Sequence, residues 1–139
     1  MDPITAVGFA TNIITFIDVS HKIISGTSEV LRSGSTAENA HVGTLVNDLR
    51  EAIAEFDNRL TGYSKHDDAL NALAFECQGI CDELCSLLEK VTVKVGTSKW
   101  QGIKVALRSM RKHGDIAHLE ERLGKCRSQI LLRLVLLLK

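Results

Sequence analysis

The sequence predicts an all-α protein, an antiparallel bundle of four to five helices with a hydrophobic N-terminal helix. A single proline and an aromatic content of 4% in 139 residues argue against a strand-rich sandwich. Apolar residues recur at three- and four-residue steps along most of the chain, which is the period of an amphipathic helix. The length suits one core, so we predict a single helical-bundle domain over residues 1–139.

The first helix is predicted from Pro3 through Ile24, or on to Leu31 if Gly26 only kinks it. Its front part, residues 3–17, is uncharged and largely apolar. As a helix, those fifteen residues would be about 22 Å long, against a bilayer hydrocarbon core of about 30 Å, so we predict no membrane-spanning segment. The predicted apolar face comprises Ala6, Phe9, Ala10, Ile13, Phe16, Ile17, Ile23 and Ile24.

The second and third helices are predicted over about residues 37–60 and 65–93. In the second, Asp48 is expected on the outer face with the other charged residues. The strand-like alternation of residues 91–95 is interpreted as the end of the third helix, because a lone five-residue strand has no partner. The inward residues are predicted to be Val42, Leu45, Val46, Leu49, Ile53, Phe56 and Leu60, then Leu70, Leu73, Ala74, Cys77, Ile80, Cys81, Leu84, Leu87, Leu88 and Val91.

Two further helices complete the predicted bundle. Thr97 or Ser98 is expected to be the N-cap of a short fourth helix, and Asp115 the N-cap of the fifth. The predicted apolar residues of these helices are Trp100, Ile103, Val105, Leu107 and Met110, then Ile116, Leu119, Leu123, Cys126, Ile130, Leu131 and Leu134.

The chain end, residues 130–139, is almost entirely apolar around its whole circumference. A helix of this kind needs burial on every side or a continuation. We therefore predict that the chain is the N-terminal part of a longer protein.

Four cysteines raise the question of a metal site or disulfides. Cys77, Cys81 and Cys85 are four residues apart, which places them on one helical stripe, and Cys126 is distant in sequence. No C-x-x-C pair occurs, so we predict buried thiols rather than metal ligands. The N-terminus has no basic signal-peptide segment, which favours the reducing cytosol.

Charge is unevenly distributed although the net charge is zero. Residues 1–90 carry a net −8 and residues 91–139 a net +8. A basic cluster in the second part of the chain would attract anionic lipid or nucleic acid. Alternatively, its residues simply face the acidic part of the same chain or water, and we favour this second interpretation. The cluster relevant to lipid is Lys99, Lys104, Arg108, Arg111 and Lys112.

No catalytic constellation is apparent. The patterns G-x-x-x-x-G-K-[ST], H-E-x-x-H and G-x-S-x-G are all absent, and the five histidines are scattered. We predict a protein that is not an enzyme, with no catalytic residue, no cofactor and no metal ligand.

Several short segments resemble the N-terminal domains of fungal STAND (NLR-like) proteins. These are Met1-Asp2-Pro3, the apolar stretch from Ala6 to Ala10, Thr15-Phe16-Ile17-Asp18, and the later segments Leu119 to Leu123 and Arg127 to Ile130. The resemblance extends over nearly the whole chain. It implies a HeLo-like bundle, related in architecture to the executioner bundle of mixed-lineage kinase-like necroptosis effectors and to plant coiled-coil resistance domains.

The resemblance also implies a function. Domains of this group precede a nucleotide-binding oligomerisation module, and activation releases them to damage membranes and trigger cell death in non-self recognition. We therefore expect a cell-death-inducing domain of fungal immunity or heterokaryon incompatibility, cytoplasmic at rest and membrane-associated when active. Its expected partners are anionic membrane lipids, further copies of itself and a downstream nucleotide-binding module.

The first helix is the expected membrane-active element. In the resting state, the apolar face of this helix should pack against the second and third helices. On activation, the helix should swing out of the bundle. The predicted lipid contacts are Ile4, Val7, Phe9, Ile13, Phe16 and Ile17, with the basic cluster attracting anionic lipid. The alternative is a non-lytic helical adaptor that oligomerises or recruits a partner protein; nucleic-acid binding is the least favoured.

Overall fold

The computed structural model describes residues 3–27, 32–34, 36, 39–57, 65–111 and 114–139; the side chains of residues 3–5, 55–57 and 65–67 are not described. This part of the chain is an all-α bundle of five helices, as predicted. In chain order they are α1 (Pro3–Ile24), α2 (Val42–Asp57), α3 (Lys65–Val95), α4 (Trp100–Ser109) and α5 (Gly114–Leu137).

Helix α1 is the centre of the bundle, since it contacts each of the other four helices. The predicted contacts with α2 and α3 are present, and an extensive contact with α5 is added. The predicted apolar face is fully confirmed, because all eight of its residues are buried. The sequence folds this way because α1 offers the broadest apolar surface of the chain, which must be covered from several sides.

Helix α1 ends at Ile24, and the extension to Leu31 is not formed through Gly26. Gly26 adopts φ +70°, and its N–H donates to the carbonyl of Ile23 at 3.0 Å. The N–H of Thr27 donates to the carbonyl of Lys22 at 2.9 Å, so the two bonds form a Schellman cap. Gly26 therefore terminates the helix instead of kinking it, and Leu31 lies outside the described residues.

The capping glycine also lies against α4. A Cβ at position 26 would be 2.9 Å from the carbonyl oxygen of Lys104 and 3.0 Å from Cγ of Arg108. We expect Gly26→Ala to lower the free energy of unfolding by about 2–4 kcal/mol, because it combines left-handed strain with a clash against backbone. Chemical denaturation measures this loss.

Gly96 provides the matched control for this prediction. It caps α3 with φ +80°, and its N–H donates to the carbonyl of Thr92 at 2.9 Å, yet a Cβ there meets nothing within 4 Å. Gly96→Ala should therefore lose only the backbone contribution of about 1–2 kcal/mol. Equal losses for the two variants would show that α4 does not constrain position 26.

The beginnings of α2 and α4 are tied together. Val42 N–H donates to the carbonyl of Ser98 at 2.7 Å, and Trp100 N–H donates to the carbonyl of Ala40 at 2.9 Å. His41 Nδ1 lies 3.0 Å from Ser98 Oγ. Two connections distant in sequence thus fix where these helices begin.

The hydrogen bonds between these two connections explain why two predicted helix boundaries are wrong. Helix α2 begins at Val42, later than the predicted 37 or 38, because the residues before it pair with the loop that precedes α4. The N-cap of α4 is Lys99, with extended φ and ψ and no side-chain hydrogen bond, not Thr97 or Ser98. Asp115 also lies inside the first turn of α5, which starts one residue earlier.

The helix directions follow from paired side chains. Arg50 of α2 lies 3.8 Å from Asp82 of α3, and Arg122 of α5 lies 2.7 Å from Glu76 of α3. Together with the contacts at the helix ends, these pairs make α2 and α5 antiparallel to α3. The end of α1 meets α4, which follows the end of α3, so α1 runs parallel to α3 and antiparallel to α5.

The core confirms most predicted inward residues, including the whole α3 stripe and the continuation of that helix through residues 91–95. Three predictions are wrong: Asp48 is buried instead of outward, Val105 is 61% exposed, and Leu131 is 46% exposed. Val105 and Leu131 each lie about 100° or more from the buried stripe of their helix, which is too far around to reach the core. The side chain of Phe56 and the whole of Leu60 lie outside the described residues.

Candidate functional site

The predicted lipid-contacting face of α1 is packed inside the bundle. Phe9, Ile13, Phe16 and Ile17 are buried, and Val7 is half-buried. The side chain of Ile4 lies outside the described residues. The structure therefore brings these residues together on one face, and that face is covered by the other helices.

The opposite side of α1 is exposed through Thr11 and Thr15. Thr11 Oγ1 donates to the carbonyl of Val7 at 2.8 Å, and Thr15 Oγ1 donates to the carbonyl of Thr11 at 3.0 Å. Both hydroxyl donors are thus satisfied within the helix itself. The hydroxyl donor of Thr15 therefore needs neither water nor another subunit.

The charged part of α1 is held to α5. Asp18 Oδ1 lies 3.4 Å from Arg127 Nη1, and both side chains are about half-exposed. Such a pair contributes little stability in water, but it fixes the level at which α1 and α5 meet.

Helix α1 is longer than the uncharged run that begins it. It spans 22 residues, which is about 33 Å, and residues Ala6–Ile24 are long and apolar enough to cross a membrane. The prediction that no segment is long and apolar enough to span a membrane is therefore wrong for this helix. Length and composition are weak evidence, because a buried core helix passes the same test, and 44% of this window is buried.

Release of α1 from the bundle would require a large free energy. Exposing a buried Phe or Ile side chain costs about 1.5–3 kcal/mol, so the six largest buried side chains of α1 amount to roughly 9–18 kcal/mol. A whole domain is usually stable by only roughly 5–15 kcal/mol. It follows that α1 does not swing out of an otherwise intact bundle, and its exposure is coupled to opening the core.

The predicted basic cluster is only partly assembled. Lys104, Arg108 and Arg111 follow at four- and three-residue steps, so they share one side of α4 and its extension, with Lys104 half-buried and the other two exposed. Lys99 lies at the opposite end of α4, where its backbone pairs with His41. Lys112 lies outside the described residues.

This cluster is distant from the start of α1. Arg108 and Lys104 border Gly26, immediately after the end of α1. The beginning of α1 lies about 33 Å away, at the other end of the helix. The cluster therefore does not adjoin the first turns of α1, which carry part of the predicted lipid contacts.

Some basic residues instead pair with acidic residues of the same chain. Arg122 Nε lies 2.7 Å from Glu76 Oε1, and Arg122 Nη1 also bonds to Glu83. These two carboxylates raise the pKa of the Arg122 guanidinium, mainly through the Glu76 hydrogen bond. Arg111 lies 3.7 Å from Glu120. Arg122 and Arg127 are thus paired with acidic residues of the same chain, which agrees with the interpretation that we favoured for the basic part.

All four cysteines are buried and unbridged. Cys77 of α3 is hydrogen-bonded to Cys126 of α5, and this bond together with burial raises the Cys77 pKa far above its ordinary value. Cys81 is likewise bonded to Cys85, with its pKa raised by that bond and by burial. The same two hydrogen bonds lower the pKa values of Cys126 and Cys85, so Cys77 and Cys81 are the members of the two pairs that are held as protonated thiols.

Among the described residues, no group of three or more His, Cys, Asp or Glu is arranged to hold a metal ion. A groove of about 670 Å³ lies between the first part of α3 and the last part of α5. Its lining includes Leu73, Gln129, Leu132 and Arg133. The sequence indicates the apolar chain end but not this groove, because the groove depends on the pairing of two helices that are distant in sequence.

Comparison of the chain with family models, with curated proteins and with solved structures found no match.

Proposed function

We propose that this chain is a cell-death-inducing signalling domain that permeabilises membranes after oligomerisation, with α1 as the inserting segment. The resemblance to HeLo-like domains of fungal NLR-like proteins is the basis for the biological setting. In this proposal the bundle is the resting, cytoplasmic form, and the membrane-associated form is produced when several copies are brought together.

The observation that carries the proposal is the chemistry of α1. The helix is long enough to cross the hydrocarbon core, and it carries no charge from Pro3 to Ile17. Its exposed threonines donate to carbonyls of the same helix, so neither brings an unsatisfied donor into lipid. Asp18 and Lys22 lie in the last two turns of the helix. Lys22 can remain at the interface. Asp18 lies about 9 Å before Ile24, inside the length needed to cross, so neighbouring copies must cover its carboxylate.

The burial of α1 explains why oligomerisation is needed. Opening the core exposes apolar surface that only lipid or neighbouring copies can cover again. Copies held together at high local concentration supply such neighbours, and membrane contact supplies the remaining apolar environment. A single bundle in water remains closed.

The test places charge on the exposed face of α1. We expect the double variant Thr11→Arg, Thr15→Arg to fold normally but to lose vesicle leakage, because each Arg costs about 2.5–3.5 kcal/mol at the centre of a membrane helix. Dye release from anionic vesicles measures leakage, and circular dichroism during heating measures stability.

Two controls accompany this test. Asn47→Arg, Ser86→Arg adds the same charge at exposed positions on α2 and α3 and should leave leakage unchanged. Thr11→Val, Thr15→Val removes the hydroxyls without adding charge and should also retain leakage. Full leakage by the Thr11→Arg, Thr15→Arg variant would rule out α1 as the inserting segment.

The burial of α1 also favours a second candidate, a non-lytic helical adaptor. A helix that contacts all four others is the expected hub of a stable scaffold. Such an adaptor would act in the folded state through its exposed surfaces. It predicts no dye release at any concentration at which the chain remains folded.

A further inference from the structure

Helices α3 and α5 place two buried thiols opposite each other. Arg122 of α5 bonds to both Glu76 and Glu83 of α3, so it is level with about residue 80 of α3. Because the two helices are antiparallel, Cys126, one turn further along α5, is level with about residue 76. Cys77 is the buried residue at that level, and the two thiols are hydrogen-bonded to each other.

The groove between α3 and α5 leads from the surface to this pair. Cys126 is one of its lining residues and is 3% exposed, whereas Cys77 is fully buried. The exposed side chains of Lys125 and Gln129 line the same groove. A molecule as small as hydrogen peroxide can therefore pass along this groove of about 670 Å³ and reach Cys126 before Cys77.

The hydrogen bond between the two thiols makes them chemically unequal. It is the main cause that lowers the pKa of Cys126, and the guanidinium of Arg122 lowers this pKa further, against burial and the carboxylate of Glu76. The same bond raises the pKa of Cys77. Cys126 is thus the thiol that more readily becomes a nucleophilic thiolate, and Cys77 is held beside it as a second thiol.

The other two cysteines have an unsuitable geometry for a disulfide. Cys81 and Cys85 are four residues apart on α3, a spacing at which Cβ atoms are about 5–6 Å apart. A disulfide requires a Cβ separation of about 3.5–4.5 Å. Bridging Cys81 to Cys85 would therefore distort α3, whereas Cys77 and Cys126 face each other from different helices.

We propose that Cys77 and Cys126 form a reversible disulfide when the chain meets hydrogen peroxide, and that this bond locks α5 onto α3. The Cys126 thiolate attacks one oxygen of the peroxide, which forms a sulfenic acid and releases hydroxide. The sulfur of Cys77 then attacks the sulfenic sulfur, and the hydroxyl group leaves with the Cys77 proton as water. The hydroxide released first takes up the proton that Cys126 lost. Two thiols are thus oxidised by two electrons, and one peroxide is reduced to two waters.

The disulfide would strengthen the part of the bundle that covers α1. Helix α5 makes the most extensive contact with α1, and the bond would hold α5 against α3. A cross-link that closes a loop of about 50 residues restricts the unfolded chain, so we expect the unfolding equilibrium constant to fall by about 30- to 1,000-fold. Urea denaturation of the oxidised and reduced chains measures this change.

Peptide mapping of the full chain tests the bond directly. Folded, reduced protein is treated with hydrogen peroxide, and the remaining thiols are alkylated in denaturant before proteolysis and mass spectrometry. We expect a peptide that joins Cys77 to Cys126, alkylated Cys81 and Cys85, and four free thiols again after dithiothreitol. A bond to Cys81 or Cys85, a bond between two copies, or four free thiols after treatment would overturn the inference. So would an oxidised chain that is no more stable than the reduced one.

Serine variants test the order of the two steps. Cys77→Ser should leave a sulfenic acid at Cys126 that dimedone labels, whereas Cys126→Ser should leave Cys77 unlabelled. Labelling of Cys77 but not Cys126 would contradict the assigned order. The matched control Cys81→Ser, Cys85→Ser keeps the reactive pair and should form the disulfide as the unmodified chain does. The peptide map of the unmodified chain holds even where a buried serine weakens the fold.

The bond itself does not depend on the proposed function, but its effect on leakage rests on it. Because release of α1 requires the core to open, the oxidised chain should release dye at least about tenfold more slowly than the reduced chain. If the disulfide forms but the reduced chain never releases dye, permeabilisation is wrong and the disulfide stands. If the oxidised and reduced chains release dye equally fast, the bond does not restrain α1 and the lock is wrong.

Discussion

Leu49→Ala is expected to destabilise the bundle by about 2–5 kcal/mol and, at the same protein concentration, to increase vesicle leakage. Leu49 is fully buried on α2, so truncation removes apolar contact and leaves a cavity. It does not alter the sequence of α1. Because release of α1 requires the core to open, a weaker core raises the fraction of chains that can insert. Urea denaturation and dye release measure the two effects.

Val105→Ala is the control for this prediction. Val105 is on α4 and 61% exposed, so its truncation should change stability by less than about 0.5 kcal/mol and leave leakage unchanged. A Leu49→Ala protein that loses activity in step with its stability would show that the folded bundle is the active form. That outcome would favour the adaptor over the membrane-permeabilising domain.

Above pH 9 the bundle is expected to lose stability through two of its buried thiols, Cys77 and Cys81. The pKa values of Cys77 and Cys81 are raised in the folded chain above their ordinary value of 9.0. Below pH 9 both states keep the protons of Cys77 and Cys81, whereas the lowered pKa values of their partners Cys126 and Cys85 favour the folded chain as the pH rises toward 9. Above pH 9 the unfolded chain releases protons that the folded chain retains, so stability falls by up to about 1.4 kcal/mol per pH unit for each thiol.

The measurement is the free energy of unfolding between about pH 8 and 11 under reducing conditions. The double variant Cys77→Ala, Cys81→Ala should have a shallower slope, whatever its stability at neutral pH. Lysine and tyrosine groups titrate equally in both proteins, so the difference in slope isolates the thiols. Equal slopes would show that these thiols ionise as readily in the bundle as in the unfolded chain.

The fold was largely predictable because helical periodicity depends only on neighbouring residues. The α3 stripe from Leu70 to Val91 is an example, since its positions repeat without interruption and all are buried. The boundaries that failed depend on distant partners. Nothing near Val42 in sequence indicates that its N–H is bonded to Ser98, so the start of α2 could not be located by pattern.

The candidate site was predicted as a set of residues but not as a surface. The apolar face of α1 was correct, yet its burial against four helices could not follow from the sequence of α1 alone. The cluster from Lys99 to Lys112 is compact in sequence, but the structure places Lys99 apart from Arg108, at opposite ends of a helix. The α3–α5 groove depends on a pairing between residues more than 40 positions apart, which periodicity cannot reveal.

The contact between α1 and α5 has a consequence for synthesis of the protein. Asp18 and its partner Arg127 are separated by 109 residues, so α1 leaves the ribosome long before α5 exists. At about 5–20 residues per second, roughly 5–20 s pass before the two helices can meet. During that interval, α1 with its apolar residues such as Phe9 and Phe16 lacks α5, the helix with which it makes its most extensive contact. A nascent chain with so apolar a first helix is a natural client for chaperones, and premature stops before α5 should yield aggregated product.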